Sequence, residues 1–153
     1  MEKDDAMMQW YIYFPGEQFS IEHEAVELIN IFTEYFETKP EIVEPNWYLN
    51  HDRFTSGELA IKNPKKISTL LFEQPEMIIN SIGISLSQLL QTNSLPSPSL
   101  SNQSFKKTEK IIPRIYNYPI IPFKHVKSNA IGKFISIKGT VIRVGPIKPI
   151  ISR

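Results

Sequence analysis

Hydrophobic positions fall into distinct patterns along this chain. In "SIEHEAVELINIFTEYFE" (20–37), Ile21, Ala25, Leu28, Ile29, Phe32 and Phe36 recur at steps of three and four, which puts them on one face of a helix. Ser20 is the expected N-cap, Glu22 and Glu24 suit the first turn, and Thr38-Lys39-Pro40 ends the run, because the residue before a proline is pushed out of the α region. Asn63-Pro64 opens a second helix over 64–73. Gln74-Pro75 opens a third, "PEMIINSIGISLSQLLQ" (75–91), with proline accepted at the first helical position. Met77, Ile78, Ile82, Leu86, Leu89 and Leu90 form its apolar face. Gly83 lowers helix propensity by about 1 kcal/mol relative to alanine, so its presence predicts a neighbour in close contact. The aromatic start "QWYIYFPGEQF" (9–19) reads as a short extended segment closed by the Pro15-Gly16 turn, and 42–57 as loop with short extended pieces.

The last part of the chain follows a different period. Prolines at 113, 119 and 122 make 109–122 extended, and "FKHVKSNAIG" (123–132) forms a helical turn closed near Gly132. In "IGKFISIKGTVIRV" (131–144), Ile135, Ile137 and Val141 share one parity, with Ser136, Lys138 and Thr140 on the other, as in a half-buried strand. The parity shifts after Gly139, which predicts a bulge or bend. A long, bent, half-polar strand suits the opening of a small closed barrel of the OB type, which needs five strands. One strand cannot satisfy its own backbone or bury its own face. The expected architecture is therefore α+β: a helical subdomain over 1–91, a Ser/Pro-rich linker over 92–108, and the start of an OB-fold over 109–153 that this sequence does not complete.

Charge sharpens that division. Residues 1–105 hold 6 Lys/Arg against 15 Asp/Glu, a balance of −9. Residues 106–153 hold 11 Lys/Arg against Glu109 alone, a balance of +10, so the net charge of +1 conceals an acidic body joined to a basic tail. Such a tail points to a polyanion, or to attraction between the halves. Lys133, Lys138, Arg143 and Lys148 flank or decorate the strand, with Lys127 and Arg114 before it. Basic side chains on phosphates and aromatics under bases are the means by which OB surfaces hold single strands. Tyr116 and Tyr118 are more suited to packing against the helices than to stacking on bases.

Other chemistry finds little support. The 153 residues contain no cysteine, hence no disulfide or thiolate metal site, which fits a reducing compartment. His23, His51 and His125 lie far apart and suggest no metal site. The glutamates of 22–37 read as a solvated helix surface. No apolar run approaches the ~18 residues of a membrane span, and the acidic start lacks the apolar core of a secretory signal. No G-x-x-x-x-G-K-[ST] is present, so the β/γ-phosphates of ATP have no cradle. "FKKTEK" (105–110) reads as a short nuclear-import patch.

The stretch "RIYNYPIIPFKHVKSNAIGKFISIKGTVIRVGPIKP" (114–149) resembles the start of the N-terminal OB-fold of minichromosome maintenance (MCM) DNA helicases. The similarity rests on Arg-Ile-Tyr-Asn-Tyr, Ile131-Gly132-Lys133, Lys138-Gly139-Thr140-Val141, Arg143-Val144 and Lys148-Pro149. Two positions depart from the family's strand end: Gly145 stands for its serine and Lys148 for its second arginine. The aromatic start and "PEMIINSIGISLSQLLQ" are most similar to one paralogue of that family, associated with homologous recombination repair and meiosis. The resemblance implies a nuclear protein that contacts DNA, single-stranded in particular, and joins other MCM-type subunits in a hexameric ring, one further paralogue among them. It assigns zinc, ATP and magnesium to portions beyond these residues, so this chain is expected to be a fragment without a motor that does not hydrolyse ATP by itself. The alternative is a non-enzymatic adaptor, with an acidic helical domain for a protein and a basic tail for nucleic acid.

Overall fold

The computed structural model describes residues 9–92 and 110–146. Residues 9–13 are helical (α1), followed by α2 (Glu24–Thr38), β1 (Tyr48–Asn50), α3 (His51–Thr55), α4 (Pro64–Glu73), α5 (Pro75–Gln91) and β2 (Arg114–Tyr116). Helices and a parallel strand pair together agree with the expected α+β class.

The third helix of the sequence pattern, α5, is the axis of the fold. It begins and ends where Gln74-Pro75 and Gln91 predict, and almost its whole circumference is buried from Ile78 to Leu89. Its residues Ile78, Ile82 and Leu86 have almost no exposure, each burial being worth about 1.5–3 kcal/mol. On one side they meet Leu28, Phe32 and Phe36 of α2 and Ile67 and Leu71 of α4. On the other, Ile84 joins a second cluster of Trp10, Tyr13, Phe14, Ala25 and Ile29. Small buried residues on α5 let α2 lie close: the Ser85 hydroxyl donates to the Ile29 carbonyl across the helices at 3.0 Å. Gly83 has the predicted close neighbours, since a Cβ there would stand 2.5 Å from the Tyr13 ring and 2.7 Å from the Ile111 carbonyl oxygen.

The aromatic start departs from expectation. It is helical rather than extended, because Trp10, Tyr13 and Phe14 stand three and four residues apart and all three are buried. Pro15-Gly16 does make the turn that follows, with Gly16 at φ 92°. The next helix also starts later than Ser20: His23 is the N-cap, its Nδ1 accepting from the Ala25 amide at 3.1 Å. Ile21 consequently lies outside the helix and is 82% exposed. Within 42–57 the extended piece is β1, but His51–Thr55 forms a one-turn helix that the pattern did not announce, capped by the Asn50 side chain on the Asp52 amide.

β1 and β2 pair in parallel, Leu49 opposite Ile115, with Tyr48 opposite Arg114 and Asn50 opposite Tyr116. A parallel pair needs a long connection, and here α3, α4 and α5 supply it. Ile111, just before β2, is buried in the main helical core beside Tyr13.

Beyond β2 the chain makes 3₁₀ turns at Phe123–His125 and Ser128–Ala130, and Gly132 takes φ 75°, matching the turn expected over 123–132. The run 131–144 does not form the expected strand. Its one bridge joins Ser136 to Ile120, and residues 137–146 pair with nothing among the described residues. The physical reason is the one the pattern itself contains: a lone strand has no ladder to join. Val141 and Ile142 are 76% and 96% exposed accordingly. Gly139 serves a close approach rather than a bulge, with the Phe123 ring 2.7 Å from where its Cβ would be.

Candidate nucleic-acid interface

From Lys110 to Pro146 the chain carries seven Lys/Arg and no Asp/Glu. None of the seven is in an ion pair among the described residues. The segment's own formal charge is therefore wholly positive, and three of the seven cations, Lys110, Arg114 and Lys133, lie over aromatic rings.

Arg114 opens β2, with its side chain exposed. Its guanidinium lies 5.5 Å from the Tyr48 ring centre and donates to the Tyr48 hydroxyl at 3.2 Å. Tyr48 meets Tyr116 edge to face at 6.2 Å, and the Tyr116 hydroxyl donates to Glu44 at 2.5 Å. That hydrogen bond to a carboxylate raises the pKa of Tyr116 above the usual phenol value. Tyr118 lies between His51 and Phe134, edge to face with each at 4.9 and 4.8 Å, and its burial raises its pKa as well. Tyr118 thus packs against the helical body through His51, as expected, whereas Tyr116 is exposed and meets Tyr48 of β1 instead of a helix.

Lys133 sits beside α4, its ammonium 6.0 Å from the Phe72 ring centre, and the Phe134 amide donates to the Phe72 carbonyl at 3.0 Å. Lys127 is exposed at the head of the second 3₁₀ turn. Lys138 and Arg143 are exposed on the unpaired run, and Lys148 lies outside the described residues. The structure anchors Arg114 and Lys133 on two different parts of the helical body and leaves Lys127, Lys138 and Arg143 without an anchor. Sequence reasoning missed Tyr48 and Phe72, the rings beneath the two anchored cations. Only the β1–β2 register and the fold of the tail over α4 identify them.

No group of three or more His, Cys, Asp or Glu side chains placed to hold a metal ion occurs among the described residues. No described helix is long and apolar enough to cross a membrane.

No family model matches the chain. Curated relatives do, and all are DNA helicases. "DNA helicase MCM8" of Homo sapiens is 30% identical over 162 residues, 94% of this chain and 19% of that protein. The proteins of the same name from Mus musculus and Xenopus tropicalis are 29% and 28% identical, each over 92% of this chain. The chain spans about a fifth of the length of the curated relatives it matches. It is similar to the N-terminal part of the MCM helicases. Within that family the similarity is to the eighth paralogue, the one its aromatic start and α5 sequence single out.

Proposed function

We propose that this chain is the N-terminal portion of an MCM-type DNA helicase of the recombination branch, and that it contributes DNA contact and subunit assembly rather than catalysis. The observation that carries this reading is a basic, carboxylate-free segment displayed by an acidic helical body, in a chain similar over nearly its whole length to DNA helicases. In this reading residues 109–153 open an OB barrel whose further strands lie outside the sequence given, and 92–108 links it to the helical subdomain. Lys127, Lys133, Lys138, Arg143 and Lys148, with Arg114, neutralise phosphates of single-stranded DNA. The helical body faces neighbouring subunits of a hexameric ring, the ninth paralogue among them. ATP, magnesium and zinc belong to other portions of the complete protein, which acts in the nucleus in homologous recombination repair and meiosis.

Fluorescence anisotropy of a labelled single-stranded oligonucleotide, titrated with the full chain over a series of salt concentrations, tests the DNA contact. The logarithm of affinity falls against the logarithm of salt with a slope of about −0.7 for each phosphate neutralised. Binding that is absent at low salt, or that is insensitive to salt, would remove the reading's main support.

A further inference from the structure

A cleft of about 620 Å³ opens where the turn after α1, the α4–α5 junction and residues 132–133 of the tail come together. Of the cations of the candidate interface, Lys133 alone borders it. Part of its wall is apolar, formed by Tyr13, Phe14, Pro75 and Met77. Three carboxylates line it as well: Glu17, Glu73 and Glu76. Glu17 is already paired with His23 at 2.8 Å, whereas Glu73 and Glu76 have no ion-pair partner among the described residues. The one lysine of the lining, Lys133, is placed against Phe72.

Asn80 also borders this cleft. It stands one turn along α5 from Glu76 and is 6% exposed. Its carboxamide makes no hydrogen bond among the described residues. Its polar atoms are reached by solvent through the cleft rather than sealed in the core, so a group that enters the cleft can meet the amide directly. Three carboxylates against one lysine in the lining disfavour phosphate and favour a cationic ligand here.

We infer that this cleft binds an arginine side chain of a partner protein, presented on a short segment with apolar neighbours. A guanidinium offers five donors in a planar fork, which matches two carboxylates and a carboxamide oxygen better than the compact lysine ammonium does. The methylene stem lies along Tyr13, Phe14 and Met77, as long cationic side chains lie along apolar surface. The volume falls within the usual range for ligand clefts and exceeds one side chain, which leaves room for the flanking residues. The molecule thus has a basic segment for a polyanion and, at one edge of it, an acidic cleft for a cationic peptide.

The test uses the full isotope-labelled chain, with N-acetyl-leucyl-arginyl-phenylalanine amide as probe and the same peptide carrying citrulline, a neutral isostere, as control. The arginine peptide produces saturable shifts at the Asn80 side-chain amide and the Met77 backbone amide. The citrulline peptide binds about tenfold more weakly or worse, the loss expected for a charge-assisted hydrogen bond. Glu73→Gln with Glu76→Gln, both at exposed positions, gives a similar loss with an unchanged Tm. Asn80→Leu abolishes the shifts at Met77 while Tm holds or rises, which a merely structural asparagine would not allow. Equal binding of the two peptides, or full binding by the double glutamine variant, would each overturn the inference. The glutamine pair keeps the test decisive should the leucine variant not fold.

Discussion

The Tyr13 hydroxyl accepts a hydrogen bond of 2.7 Å from the backbone amide of Ile111, joining the first described helix to the approach of β2 across 98 positions of sequence. Both groups are buried, and burial is the main reason the Tyr13 pKa is raised. Tyr13→Phe leaves the Ile111 amide without an acceptor in the core. The expected loss is about 1–3 kcal/mol of stability, measured by urea unfolding, with faster hydrogen exchange at Ile111 than at the amides of α4.

Gly83 stands directly under that contact. Alanine there gains helix propensity of up to about 1 kcal/mol, but its methyl group meets the Tyr13 ring at 2.5 Å and the Ile111 carbonyl at 2.7 Å. A backbone oxygen cannot move aside as a flexible side chain does. Overpacking of this kind costs about 1–3 kcal/mol, so Gly83→Ala should be net destabilising. A rise in Tm for this variant would contradict the close packing.

His51 is 8% exposed, and neither ring nitrogen has a hydrogen-bond partner among the described residues. Phe54 and Tyr118 pack on the ring edge to face. Desolvation lowers its pKa below the usual 6.5, and the neighbouring Asp52 carboxylate opposes this only in part. The folded state therefore takes up the proton later than the unfolded state does. The stability contribution of neutral His51 is complete above pH 6.5 and declines as the pH falls from there toward the lowered pKa. Thermal unfolding between pH 7.5 and pH 5 should show Tm falling with acid, and His51→Phe should flatten that dependence over the same window.

Lys138 and Lys133 separate contact with DNA from anchorage of the tail. Lys138→Ala is expected to weaken oligonucleotide binding and reduce the salt slope by about 0.7, with no change in stability. Lys133→Ala lowers the slope similarly but also removes the cation from the Phe72 ring, and hydrogen exchange at the Phe134 amide should rise in that variant alone.

The elements that could be read from sequence were those with punctuation as well as period. Pro64 and Pro75 mark helix starts that need no distant partner, and the α2 stripe from Ala25 to Phe36 repeats often enough to define a face. Trp10, Tyr13 and Phe14 also have helical spacing, but over a single turn, where aromatic composition argues equally for a strand. His51–Thr55 was hidden because its cap, Asn50, is the last residue of β1. In the candidate interface, the cations were visible as composition and Arg114 as a position. The ring beneath it, Tyr48, is 66 residues away, and only the parallel register of β1 and β2 brings the two together. The cleft around Asn80 left no mark in the sequence, since a single asparagine within a helix does not announce that it will be buried beside unpaired carboxylates.

The place of Ile111 in the helical core also constrains how the molecule is made. A chain leaving the ribosome presents α1, α2, α4 and α5 in order, yet the Tyr13 hydroxyl meets its donor only after residue 111 has emerged. Until then the face of α5 beside Gly83 lacks the Ile111 backbone that covers it in the folded molecule. Closure of the core is thus a late stitch of high contact order, which ties completion of the helical body to arrival of the segment that carries the positive charge.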